Sequence, residues 1–301
     1  MSERRGCAGV GLSGPLAEQF APLTTAPLTS AAIEEVADLA AMQQHATRTA
    51  VWAFDAQPGL TWQLSIVEDT GALVFSINDK PVLVADQRRG VIQIGALRPE
   101  LAAQFVATIG APVLATALGA VPVHGSSLRR PDGSGLLLVG PSGAGKSSLL
   151  TVLADQGWSP ISEDTTVVEL TPEGAALAWP GPPWVRLARG QPGPAGATPR
   201  PDPTDKVAWS LRGRLPTEPT RLHRIVVLDR PGGTSPVVRP LLPAEAIATL
   251  PPHVSWLSTA PRATAAFAGG VALARRVPAT SLRLSRHPDW AREACALLSD
   301  L

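Results

Sequence analysis

The sequence predicts an α/β fold in which a P-loop core on a mixed sheet is preceded by a small β-rich N-terminal region. Three observations carry this. The stretch "GPSGAGKSSLL", Gly140 to Leu150, sits between a strand-like and a helix-like run. Residues 51 to 97 hold short alternating or apolar runs split by turn residues. From about residue 118 strand and helix patterns alternate, with no internal repeat.

The glycine-rich stretch is the strongest signal. It reads G-x-x-x-x-G-K-S, with Gly140, Gly145, Lys146 and Ser147 at the fixed positions. The apolar run "GLLLV", Gly135 to Val139, predicts a buried strand before it. After it, Leu149, Leu150, Leu153 and Ala154 recur at helical spacing, and Gly157 predicts the stop. In this strand–loop–helix setting the glycines let successive N–H groups turn inward, and the helix N-terminus adds partial positive charge. The loop residues Gly140, Pro141, Ser142, Gly143, Ala144, Gly145, Lys146, Ser147 and Ser148 are the expected nucleotide contacts. Lys146 can reach the β- and γ-phosphates, and the Ser147 hydroxyl can serve Mg²⁺. Composition points the same way. Of 26 basic residues only Lys80, Lys146 and Lys206 are lysines. A chain that elsewhere uses arginine keeps lysine where a compact ammonium is needed. Lys206 becomes a candidate by that logic, whereas Lys80 falls in the turn-like "NDK".

Bulk properties bound the rest. The chain has 301 residues, enough for one large domain or two ordinary ones. A net charge of +1, with no basic tract interleaved with aromatics, argues against a nucleic-acid partner. Cys7 and Cys295 lie far apart, which argues against a disulfide framework or zinc site and fits a reducing cytoplasm. "ERRG" near the start is followed by no apolar signal core. The charge-free run Leu101 to Val123 is rich in Ala, Gly and Thr and contains Pro112 and Pro122. It predicts two short buried helices broken at Gly110–Pro112 and then a buried strand, not a membrane span.

The chain divides into three parts. Residues 1–28 are rich in Gly, Pro, Ser and Thr and are expected to lack order. Residues 29–97 form a small α+β region, opened by a helix over Ser30 to Ala46 with Ser30 as its N-cap. Residues 98–301 form the P-loop domain. Within it "RGQPGPAGATPRPDPTDK", Arg189 to Lys206, reads as a mobile loop without regular structure. Strands are expected at "KVAWSL", "RIVVLD", "VVRPLL" and "SLRLS". Helices are expected at "PAEAIATL", "RATAAFAGGVALARR" and "DWAREACALLSDL".

Three kinds of chemistry use such a loop. A transport cassette needs an LSGGQ-like signature, and nothing in residues 151 to 228 supplies one. A GTPase needs an NKxD-type motif, which is also absent. A kinase needs a phosphate cradle, a metal site and a carboxylate to take a hydroxyl proton. "SPISEDTTVVEL" places Glu163 and Asp164 17 and 18 residues after Lys146. A strand returning parallel beside the first would set both carboxylates next to the phosphates, one for Mg²⁺ and one as base. "RIVVLD" ends in Asp229 and offers a second acidic position for the metal. Arg186, Lys206 and Arg212 are weaker candidates for contacts to the transferring phosphoryl group.

The segment "VHGSSL…GLLLVGPSGAGKSSLLTVLADQGWSPISEDTTVV", ending at Val168, resembles the catalytic core of the HPr kinase/phosphorylase family and its wider kinase-like set. A histidine strand motif, the P-loop and an acidic pair stand in the same order at near-matching spacing over about 45 residues. Looser likeness extends through "PGPPWVRL", "VVLDR" and "PLLPAEAI". The resemblance implies that His124 lies near the transferred phosphate. It implies that Asp164 is the general base toward a serine-type hydroxyl, and that Glu163 stands where an aspartate more commonly serves the metal. The glycine-rich segment tied to the phosphorolytic reaction is not matched by "WPGPPWVRLARGQPGPAG". The expectation is therefore the kinase-like branch.

Taken together, the sequence predicts an ATP- and Mg²⁺-dependent cytoplasmic kinase. Its partners would be a nucleotide and a hydroxyl-bearing peptide, protein or small molecule, with a biosynthetic role implied by the resemblance. No membrane partner is expected, and a homo-oligomer is left open. The alternatives are a nucleotide-binding regulator or scaffold without turnover, and an ATPase coupled to assembly or transport.

Overall fold

Between Arg5 and Gly95 the longer regular elements among the described residues are strands. The computed structural model describes residues 4–39, 48–57, 59–202, 206–229, 232–254, 260–285, 287 and 290–301. The first strands are β1 (Arg5–Cys7), β2 (Val10–Ser13), β3 (Ala21–Pro22) and β4 (Thr29–Val36). They are followed by β5 (Arg48–Gln57), β6 (Leu60–Val67), β7 (Leu73–Ile77), β8 (Lys80–Asp86) and β9 (Val91–Gly95). Together they form one nine-stranded sheet in the order β3-β1-β2-β4-β9-β8-β7-β6-β5.

Two expectations are corrected here. Residues 4–28 are not without order. Cys7, Val10 and Phe20 are buried, because these short strands pair with one another and pack into the sheet's core. The helix expected from Ser30 is strand β4 as far as Val36, and residues 40–47 lie outside the described part. Ala31 and Ile33 alternate inward from β4, which runs parallel to both β2 and β9. Pairing on both edges outweighs the helix preference of Ala and Glu, which is worth only tenths of a kcal/mol per residue.

The charge-free segment is helical and buried as expected, but it is not broken at Gly110–Pro112. Helix α1 (Pro99–Phe105) runs through a π turn at Val106–Gly110 straight into α2 (Ala111–Thr116), with Gly110 and Ala111 both in right-handed helical conformation. Pro112, which lacks an N–H, follows directly on the π turn, where the helical ladder is already irregular. These helices share their core with the N-terminal strands: Ala103, Val106 and Val113 pack with Ile92, Ile94 and Leu83. Among the described residues no helix is long and apolar enough to cross a membrane.

The second half is a mixed α/β layer. Its strands are β10 (Val121–Arg129), β11 (Gly135–Val139), β12 (Ser159–Ser162), β13 (Thr165–Leu170) and β14 (Ala176–Ala178), then β15 (Trp184–Ala188), β16 (Pro199–Arg200), β17 (Lys206–Ser210), β18 (Thr220–Asp229), β19 (Val237–Pro240) and β20 (Ala279–Arg283). The helices are α3 (Lys146–Asp155), α4 (Pro243–Thr249), α5 (Ala260–Arg276) and α6 (Trp290–Ser299). The expected strands and helices after residue 206 are all present. Strand β11 lies antiparallel to β10 and parallel to β18, while β10, β13, β14 and β18 pair in turn, so the path closes on itself. Leu149, Leu150 and Leu153 of α3 are fully buried against Leu136 and Leu138 of β11. Each such leucine contributes about 1.5–3 kcal/mol of apolar transfer. They fix the start of α3 over the end of β11.

Two further details differ from expectation. Strand β12 is not the immediate neighbour of β11. Both pair antiparallel with β10, which intervenes between them. The Arg189–Lys206 segment is not wholly irregular. Pro199 and Arg200 pair with Trp209 and Ala208, and Lys206 begins β17, in a small β15-β17-β16 sheet. The segment is also tied to α3, since Gln191 Nε2 donates to Ser148 Oγ at 3.2 Å and the Ala195 amide donates to Asp155 Oδ1 at 2.7 Å.

The two halves are joined by polar bonds as well as by packing. The Ala8 amide donates to Pro180 O at 2.7 Å, and the Thr24 amide to Thr217 O at 2.9 Å. The Trp184 indole donates to Gln104 Oε1 at 2.9 Å inside the first core.

Candidate active site

The loop after β11 is built by its glycines. Gly140 has φ +149° and lies against β18, where an added Cβ would stand 2.5 Å from Leu228 O. Only glycine allows the loop to leave the sheet this close to its neighbour. Gly145 at φ +100° turns the chain directly into α3. The Lys146 ammonium donates to Gly140 O at 2.7 Å and to Pro141 O at 3.2 Å, so it lies along the loop. Burial lowers its pKa, and the nearby Asp164 and Glu163 carboxylates oppose that shift.

The acidic pair occupies the turn between β12 and β13. Three bonds shape that turn: Ser162 Oγ donates to Thr165 O at 2.6 Å, the Thr165 amide to Glu163 O at 2.9 Å, and the Gly125 amide to Asp164 O at 3.0 Å. Asp164 has φ +71°, in the left-handed region that Asp and Asn tolerate better than most side chains. Gly181 closes the turn from outside, because a Cβ there would meet Ser162 Oγ at 2.1 Å.

This geometry brings Glu163 to the start of α3. Ser147 Oγ donates to Glu163 Oε1 at 2.8 Å. The Glu163 carboxyl is buried, and burial together with the Asp164 charge raises its pKa to about 7, against the pull of Ser147, Arg186 and Lys206. A group so placed gains most from a cation beside it. Asp164 is more open, and its Oδ1 lies 3.7 Å from His124 Nδ1. Burial lowers the pKa of His124, the Asp164 charge opposing it.

One cleft of ≈280 Å³ collects these groups. Its lining includes His124, the loop residues Ser142, Gly143 and Gly145 through Ser148, Glu163, Asp164, Arg186 and Lys206. Arg186 Nε donates to Asp202 Oδ2 at 2.9 Å in a buried pair. Burial alone would lower the Arg186 pKa, but Asp202 and then Glu163 outweigh it and raise it. Arg212 and Asp229 do not line the cleft. Arg212 Nη2 donates to Glu18 O at 2.7 Å, and Asp229 Oδ2 accepts from Ser281 Oγ at 2.9 Å. A roomier cleft of ≈750 Å³ between α3 and α6 is lined by Arg130, Trp158 and Cys295 and contains none of the loop residues.

Sequence reasoning missed Leu187 and Ala188 of β15 and two polar lining residues, Ser126 and Gln191. Ser126 stands two positions after His124 on β10 and so shares its face, a signal that strand alternation could have supplied. Gln191 reaches the cleft from the segment bound to α3, and no local pattern marks it.

Among the described residues no group of three or more His, Cys, Asp and Glu side chains could enclose a metal by themselves. Mg²⁺ asks for less, since one or two protein oxygens suffice when phosphates and waters complete the shell. The Ser147 hydroxyl and the Glu163 carboxylate are two such oxygens at 2.8 Å from each other, and they fit that ion.

No protein-family model and no curated protein matches the chain. Among solved structures the chain is similar to the Hpr(Ser) kinase/phosphatase from Coxiella burnetii, at 11% identity, covering 60% of this chain and 88% of that one, with a TM-score of 0.33.

Proposed function

We propose that the protein is a P-loop kinase that transfers the γ-phosphate of ATP to a hydroxyl group with the help of Mg²⁺. The observation that carries this reading is the convergence of Lys146, the Ser147–Glu163 pair and the more open Asp164 on one cleft behind the glycine loop. The loop amides and Lys146 would hold the phosphates, and Ser147 and Glu163 would hold Mg²⁺, which supplies charge neutralisation when bound. Asp164 would accept the acceptor's hydroxyl proton. His124 at 3.7 Å would orient that carboxylate. Arg186 and Lys206 would face the transferring group from the β15-β17 wall. The acceptor class supported best is a serine-type alcohol on a peptide, protein or small molecule.

The test is phosphoryl transfer from labelled ATP to a panel of hydroxyl acceptors, with and without Mg²⁺. Lys146→Ala is expected to keep the fold, weaken ATP binding and lower transfer by about 10²-fold or more, as loss of a preorganised charge donor does. Label that appears only in water would point to an ATPase. ATP binding without release or transfer of label would point to a regulator. Near-normal transfer by folded Lys146→Ala would overturn the reading.

A further inference from the structure

We propose that Ser126 is a ligand-binding hydroxyl of the same cleft, which donates a hydrogen bond to a phosphoryl oxygen of the bound nucleotide. This rests on the reading of the cleft as a phosphate site and adds a residue that the P-loop and the acidic turn do not account for. Ser126 and Ser127 are consecutive on β10 and both are buried. Strand alternation points them to opposite faces. Ser127 Oγ accepts from Thr166 Oγ1 at 3.0 Å. Ser126 Oγ is shielded from solvent and finds no partner among the described residues. The unpaired hydroxyl is the one on the cleft side, two residues from His124 and directly across from Leu138 on the strand that leads into the loop.

A buried hydroxyl without a partner costs free energy in the unliganded fold, and a well-placed acceptor recovers it. A phosphoryl oxygen is an acceptor with no proton to give, so it matches a donor held in reserve beside Lys146 and Ser147. Ser126 belongs to the cleft lining although its hydroxyl is shielded from solvent.

The proposal predicts two effects of opposite sense in one variant. Ser126→Ala removes an unsatisfied group, so the unliganded melting temperature is expected to stay level or rise. The dissociation constant for the Mg²⁺ complex of a non-hydrolysable ATP analogue is expected to rise about 10-fold, the scale of a hydrogen bond to a charged acceptor. Ser127→Ala is the control: it breaks the bond with Thr166, so melting temperature falls while affinity holds. Ser126→Cys, close in size, serves if the alanine variant does not fold, and should also bind weakly because a thiol is a poor donor. Affinity in Ser126→Ala or Ser126→Cys equal to that of the native chain would overturn the role of Ser126 alone. Failure of the native chain to bind the analogue would overturn it together with the phosphate-site reading.

Discussion

The hydroxyl of Ser147 is bonded at 2.8 Å to a carboxylate 16 residues away, that of Glu163. One group lies in the first turn of the helix behind the glycine loop, and the other lies in a turn one strand later. Glu163→Gln is expected to raise the Mg²⁺ concentration needed for half-maximal transfer by about 10–100-fold, the usual scale for losing an oriented metal partner. The amide can still accept from Ser147 and no longer buries a charge, so unliganded stability should not fall. Titration of activity against Mg²⁺, with a thermal melt in chelator, checks both. An unchanged Mg²⁺ requirement would move the metal site away from Glu163.

Asp164→Asn is expected to separate binding from chemistry. Asparagine is as large and accepts the left-handed backbone at φ +71°, so the turn survives. It cannot take a proton, and transfer should drop by about 10²–10⁴-fold. Calorimetry should find ATP affinity nearly unchanged. Full transfer by this variant would mean that another group, His124 first, serves as base.

His124 is expected to be neutral at pH 7, because burial holds its pKa below the ordinary 6.5. The sign of its contribution to stability follows from that direction. A depressed histidine pKa favours the neutral form in the folded state, so its stabilisation is present above pH 6.5 and is lost as pH falls through the folded value. His124→Gln should therefore flatten part of the acid-side loss of stability below pH 6.5. NMR titration of the ring protons would show the midpoint directly, and a midpoint above 6.5 would contradict the prediction.

Cys7 is expected to resist thiol reagents in the native protein. It is fully buried in the N-terminal core and burial raises its pKa, whereas Cys295 is only partly covered. A native sample should release one equivalent with a chromogenic disulfide, and a denatured sample two. Rapid reaction of both would mean that strands β1 to β3 open readily.

The glycine loop was legible in the sequence because its fixed positions lie close together and each has a local reason. The strand before it, the helix after it and the stop at Gly157 follow from periodicity alone. Strand β4 was not legible. Its alanines and glutamates favour a helix locally, and what decides against that is pairing with β2 and β9, which no local window contains. The first strands were hidden for the same reason: three short runs rich in Gly and Pro gain order only by joining a sheet completed by residue 95. At the site, spacing found Glu163 and Asp164 but misjudged their support, since β10 separates β12 from β11 and its amide at Gly125 holds the turn. Asp229 ends an apolar strand as expected, yet its carboxylate bonds to Ser281 on the next strand and stays out of the cleft.

The bonds that stitch the first strands to the later half set a schedule for biosynthesis. Thr24 meets its partner Thr217 across 193 residues. At about 5–20 residues per second, roughly 10–40 seconds pass on the ribosome between the two. During that interval the outer strands of the nascent chain lack the contacts that will cover them. Unpaired strand edges are where chains associate wrongly. The stretch from residue 4 to residue 28 is thus the part of the polypeptide most in need of a holding chaperone, and slowing translation before residue 217 would lengthen that need.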